Sequence, residues 1–86
     1  MSVATQASTA PQVGKSYVLK ASGCLCGMTG GGERKAIYRT DSLTDIGRCT
    51  KVENGRVYLN VESNETEPFT FWVGVDVFER EMALLQ

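Results

Sequence analysis

From Ser16 to Ser22 the side chains fall alternately on two sides of an extended chain, with Tyr17, Leu19 and Ala21 on one and Val18, Lys20 and Ser22 on the other. A period of two predicts a half-buried strand. The next ten residues, Gly23 to Gly32, contain five glycines. Backbone entropy disfavours that content in a regular element, so the stretch reads as a loop. Extended patterning resumes at 35–40 around Ile37 and Tyr38, and 41–47 reads as a turn or single helical turn with Ser42 and Asp45 as cap partners.

The sharpest local signal is Glu53-Asn54-Gly55-Arg56. Asn-Gly tolerates positive φ at both central positions, as a two-residue type I′ hairpin requires. Counting outward pairs Val52 with Val57, Thr50 with Leu59 and Arg48 with Val61 on one face. Glu53 with Arg56, Lys51 with Tyr58 and Cys49 with Asn60 share the other. The face of Val52, Val57, Leu59 and Val61 is the more apolar and is expected to turn inward.

After an acidic loop at 63–68, residues 69–75 alternate again, with Phe69, Phe71, Val73 and Val75 on one face and Trp72 on the other. Residues 77–85 suit either a helix, with Asp76 and Glu79 as a capping box, or a turn and a closing strand. The run Phe71-Trp72-Val73-Gly74-Val75-Asp76-Val77-Phe78-Glu79 resembles the end of SH3-like barrels, where a Trp-bearing strand meets a one-turn helix and a final strand. A glycine-rich segment after the first strand and a tight hairpin before the Trp strand are similar too. The resemblance implies a fold and no function. The chain departs from peptide-binding SH3 domains where their groove-lining aromatic and acidic segment belongs, because Gly-Cys-Leu-Cys-Gly stands there.

Eighty-six residues with 42% hydrophobic and 22% charged side chains make one ordinary globular domain. Residues 1–13 carry no charge and no periodicity and read as a flexible tail before a domain at 14–86. They lack a basic start and a hydrophobic block, and no apolar run reaches membrane-spanning length, so a cytoplasmic protein is expected. An odd set of three cysteines fits that compartment. The sequon Asn64-Glu65-Thr66 is discounted for the same reason. Charge is uneven: 14–56 holds eight Lys/Arg against four Asp/Glu, a net +4, while 57–86 holds one against six, a net −5. Complementary strands that cancel one another explain this most simply.

Cys24-Leu25-Cys26, with Cys49, is the one chemical constellation, a candidate metal or redox site. Structural zinc wants four ligands, and the chain offers three cysteines and no histidine. Redox pairs favour Cys-x-x-Cys at a helix start. Gly27 to Lys35 fails the P-loop pattern because Glu33 and Arg34 follow Gly32, and Gly14-Lys15-Ser16 lacks the first glycine. Arg34, Lys35, Tyr38 and Arg39 have nucleic-acid-binding chemistry, but a pI near 5.3 argues against that partner. Without histidine the usual general base is missing, and Glu65 and Glu67 sit in a polar loop that would not shift their pKa values.

The sequence therefore predicts a mostly-β, SH3-like, partly open antiparallel barrel of five or six strands, with a short C-terminal helix as an option. Its expected role is a non-enzymatic binding or assembly module that needs no cofactor and pairs with a second copy or another protein. Trp72, Phe78, Tyr38 and Arg39 are the expected contact residues. The alternative is a thiol site at Cys24 and Cys26 in the glycine-rich loop.

Overall fold

A computed structural model of the chain describes residues 10–42, 44–62 and 67–85. The elements are β1 (Ser16–Leu19), β2 (Gly23–Thr29), β3 (Arg34–Arg39), β4 (Ile46–Glu53), β5 (Arg56–Glu62), β6 (Phe69–Gly74), α1 (Val75–Glu81) and β7 (Met82–Leu84). The seven strands form one sheet in the order β3-β2-β6-β5-β4-β1-β7. Every neighbouring pair is antiparallel, and the sheet curls into a half-barrel.

The strand missed in the sequence is β2, which corrects the expected loop at Gly23 to Gly32 and, with β7 closing the chain, raises the expected five or six strands to seven. Its glycines are not all there for flexibility. A Cβ on Gly27 would lie 2.5 Å from Cδ2 of Phe71, so glycine at this position lets β2 lie against β6. Only Gly30 to Gly32 remain as a turn, in which the Gly32 and Glu33 amides donate to the Thr29 carbonyl and hydroxyl. Those donors are spent locally, against any phosphate cradle.

Asn54 and Gly55 take φ of 54° and 75°, and the pairs Glu53–Arg56, Val52–Val57 and Lys51–Tyr58 stand as read from sequence. Beyond them the register slips. An irregularity between Cys49 and Lys51 leaves Thr50 extra, so Cys49 faces Leu59, Arg48 faces Asn60 and Gly47 faces Val61. This β-bulge overturns the expected pairs Thr50–Leu59, Arg48–Val61 and Cys49–Asn60. It turns Cys49 into the core at 1% exposure. Val52 keeps its face, opposite the buried Val57, but is itself 41% exposed rather than buried.

Inside the curl, Val57, Leu59 and Val61 from β5 meet Phe71 and Val73 from β6, Tyr17 and Leu19 from β1, and Ile37 from β3. Both readings of 77–85 are partly right. The chain makes a short helix and then a closing strand, with Phe78 buried edge-on against Tyr17 at 4.7 Å between ring centroids. The helix is capped at Gly74 without a side-chain bond, so no Asp76–Glu79 capping box forms. Its start is tied instead to the hairpin, since the Val75 amide donates to the Gly55 carbonyl at 2.9 Å.

Residues 10–13 of the expected flexible tail are tethered: the Tyr17 hydroxyl accepts from the Gln12 amide at 3.0 Å and donates to the Ala10 carbonyl. Residues 1–9 of that tail and the sequon at 64–66 lie outside the described residues. Across the mouth of the curl, the Arg39 guanidinium donates to the Leu19 carbonyl and joins β3 to β1. Asp45 occupies part of the outer edge of β3. Its carboxylate accepts from the Tyr38 amide at 3.1 Å and its own amide donates to the Tyr38 carbonyl at 2.9 Å.

Candidate functional site

The convex face of the sheet carries a row that crosses five strands. Arg34 pairs with Met28, Met28 with Trp72, Trp72 with Tyr58, and Tyr58 with Lys51. Each step is one strand wide, and directly opposed residues stand about 5 Å apart, so their side chains are immediate neighbours. Trp72, Tyr58 and Met28 are half-buried, while Arg34 and Lys51 at the two ends are exposed. The aromatic pair thus sits between the Met28 thioether and the Lys51 ammonium, with Arg34 beyond Met28.

Lys51 and a further cation, Arg56, lie on the rings. The Arg56 guanidinium is 4.1 Å from the Trp72 ring centroid, and the Lys51 ammonium is 5.3 Å from that of Tyr58. Contacts of this kind contribute about 0.5–1 kcal/mol at exposed positions. Glu53 holds Lys51 from the other side at 2.6 Å, and its hydrogen bond and charge raise the lysine pKa. The row is therefore pre-ordered, but by exposed groups that can yield to a partner.

Next to the row, β2 presents Cys24, Cys26 and Met28 on the same convex face, because alternate residues of a strand point the same way. Cys24 opposes Tyr38 and Cys26 opposes Ala36 on β3. Both thiols are exposed. An open depression is lined by Cys26, Gly27, Met28 and Arg34. Cys49 is not part of this group. It is buried on β4, and β6 and β5 stand between β4 and β2. Burial pushes its thiol pKa up, partly offset by a backbone hydrogen bond with Lys51. Among the described residues, no three or more His, Cys, Asp or Glu side chains are grouped to hold a metal ion.

The other expected contact residues separate. Tyr38 is 47% exposed and shares the convex face with Trp72. Arg39 is engaged with Leu19 across the mouth of the curl. Phe78 is wholly buried, so it leaves the contact set: the helix turns it into the core rather than outward. Lys35 is removed from the group by its position over the Phe69 ring, 5.6 Å from the centroid. Sequence reasoning missed Met28, Tyr58, Lys51 and Arg56 as members. The pairing of Lys51 with Tyr58 was readable from the Asn-Gly turn, whereas the place of Met28 depended on recognising β2.

No family model matches the chain, and neither a curated protein nor a solved structure matches it. Among the described residues, no helix is long and apolar enough to cross a membrane.

Proposed function

We propose that this chain is a non-enzymatic binding and assembly module of SH3-like connectivity, which joins a second copy of itself along the open edge of β7. The strand order β6-β5-β4-β1-β7, with the short helix between β6 and β7, supports the SH3-like reading. A chain without histidine, whose buried thiol is shifted away from the reactive form, supports a role in binding rather than catalysis.

The carrying observation is the β7 edge. The Lys20 amide donates to the Glu81 carbonyl and the Leu85 amide donates to the Ser16 carbonyl, with Val18 opposite Ala83 between them. Antiparallel alternation then aims the N–H and C=O of Leu84 away from β1, toward the free side. Leu84 and Leu85 are 37% and 43% exposed. No charge or proline interrupts Met82-Ala83-Leu84-Leu85, although protected edges usually carry one or the other. The opposite edge, β3, has both Arg34 and Lys35 and the Asp45 plug. Self-association therefore falls on β7. The convex row around Trp72, with Tyr38 beside it, is left as the face for a protein ligand.

Sedimentation of the wild type and Leu84→Lys at micromolar concentration tests this. The expected result is a dimer for the wild type and, for the variant, a monomer that keeps the β-sheet circular dichroism of the wild type. A wild-type monomer, or a dimer that tolerates Leu84→Lys, overturns the proposal.

A further inference from the structure

We infer that the convex row takes an acidic segment of a protein partner, lying extended across the strands; this rests on the reading of that face as the one for a protein ligand. The row from Arg34 to Lys51 contains no Asp or Glu. Neither does the next outward-facing row, Thr70–Asn60–Arg48–Ser16. The two rows hold Arg34, Lys51 and Arg48, and Arg56 lies over Trp72 as a fourth cation. Glu53 and Glu62 border the patch at the two ends of the β4–β5 ladder. Glu53 holds Lys51, but among the described residues no carboxylate pairs with Arg34, Arg48 or Arg56. Four cations thus gather on one face of a chain whose net charge is −1. Local positive potential of this kind complements an anionic partner.

The way the cations sit selects carboxylates over nucleobases. Arg56 is 4.1 Å from the Trp72 centroid and Lys51 is 5.3 Å from that of Tyr58, so both rings already carry a cation. A base would have to displace those cations to stack. A carboxylate displaces nothing, because a guanidinium lying on a ring keeps N–H donors at its edge. Arg34 is the second anchor. It lines an open depression with Cys26, Gly27 and Met28, which seats an acidic side chain beside it. Four interstrand intervals of about 4.8 Å make the row about 19 Å long, the span of about six extended residues. Alternate residues of an extended segment point the same way, so acids at every second position would all face the sheet. Trp72 is the only tryptophan in the chain and stands in the middle of the row, which supplies a local reporter.

The test is fluorescence anisotropy of fluorescein-labelled octapeptides titrated with the full chain, in low salt and with added NaCl, alongside Trp72 emission. The peptides alternate Glu with Ser, Lys with Ser, or Gly with Ser, and a labelled thymidine octanucleotide is the fourth probe. The Glu–Ser peptide is expected to bind, to change Trp72 emission and to weaken as salt rises. The other three probes should bind at least about tenfold more weakly. Exposed charge pairs are worth up to about fivefold, so Arg34→Gln and Arg56→Gln should each weaken the Glu–Ser peptide about threefold to fivefold. Separate contacts add, so the double variant should lose about 9–25-fold. Arg80→Gln, on α1, should leave binding unchanged. Circular dichroism confirms that each variant keeps its sheet, and Arg48→Gln replaces either variant that unfolds. Failure of the Glu–Ser peptide to bind, salt-independent binding, or full binding by the double variant overturns the inference. So does tighter binding of the octanucleotide, which would assign the face to nucleic acid. If the Lys–Ser or Gly–Ser peptide binds better and changes Trp72 emission, the acidic preference falls while the convex face stands as the ligand face. The β7 dimer is tested separately by Leu84→Lys, at the other end of the sheet order.

Discussion

Gly27→Ala would set a methyl carbon 2.5 Å from Cδ2 and 2.8 Å from Cε2 of Phe71, and 2.7 Å from the carbonyl oxygen of Trp72. Neither neighbour yields easily. Phe71 is wholly buried and packs edge-on against Phe69 at 5.7 Å, so its ring has no free space to enter. The Trp72 oxygen belongs to the β6 backbone, where β2 and β6 are joined by only two registered pairs, Met28–Trp72 and Thr29–Phe71. Overpacking of a core costs about 1–3 kcal/mol when side chains alone can adjust. Here backbone must retreat as well, so the upper end of that range, about 3 kcal/mol, is expected. A domain of this length has roughly 4–13 kcal/mol in total. The melting temperature should fall by about 12–24 °C. Urea unfolding followed by Trp72 emission should show the midpoint drop by up to about 3 M, taking a slope near 1 kcal/mol/M. Phe71→Leu removes the ring but not the carbonyl contact, so it should cost less in the Gly27→Ala background than in the wild type without restoring full stability. Gly74→Ala is the control. Gly74 has φ of −65° and nothing within 4 Å of a built Cβ, so its replacement should be nearly neutral. A loss below about 0.5 kcal/mol for Gly27→Ala, the range of an ordinary surface change, would refute the close approach of β2 to β6.

Gly55→Val places a β-branched residue at φ of 75° and should cost about 1–2 kcal/mol, read by the same urea midpoint. An unchanged midpoint would mean that the hairpin turn is not held as described. At alkaline pH, Cys49 keeps its proton in the folded chain after the unfolded chain has lost it. The folded state then holds more protons, so stability is full below the ordinary thiol range near pH 8.5 and declines as pH rises through the native value. Lys51, whose pKa Glu53 raises, adds a loss of the same sign at higher pH. Stability of Cys49→Ala measured across pH 7–10 should show a flatter decline than the wild type, and an equal slope would refute the assignment to Cys49.

What the sequence determined by itself was local. Asn54-Gly55 set the hairpin and its first three pairs, because positive φ at two adjacent positions depends on the residues themselves. Alternation put Val57, Leu59 and Val61 on the inward face and separated Phe71 and Val73 from Trp72, since the two-residue repeat of a strand holds without knowledge of its partners; the folded sheet turned Phe71 and Val73 inward. Tertiary contact decided the rest. The glycines of β2 resembled a loop because a glycine required by a neighbour's ring looks, in sequence, like one required for a turn. Phe71 is far along the chain from Gly27, and only the folded sheet brings them together. The bulge at Thr50 exchanged Cys49 for Thr50 in the core, a choice made by the packing beyond the turn rather than by the turn. Phe78 was legible as an aromatic near a helix, but its direction depended on how α1 seats against Tyr17. The convex row likewise joins residues from five strands. Its Lys51–Tyr58 step follows from local hairpin register, while its Met28–Trp72 step exists only through the non-local pairing of β2 with β6.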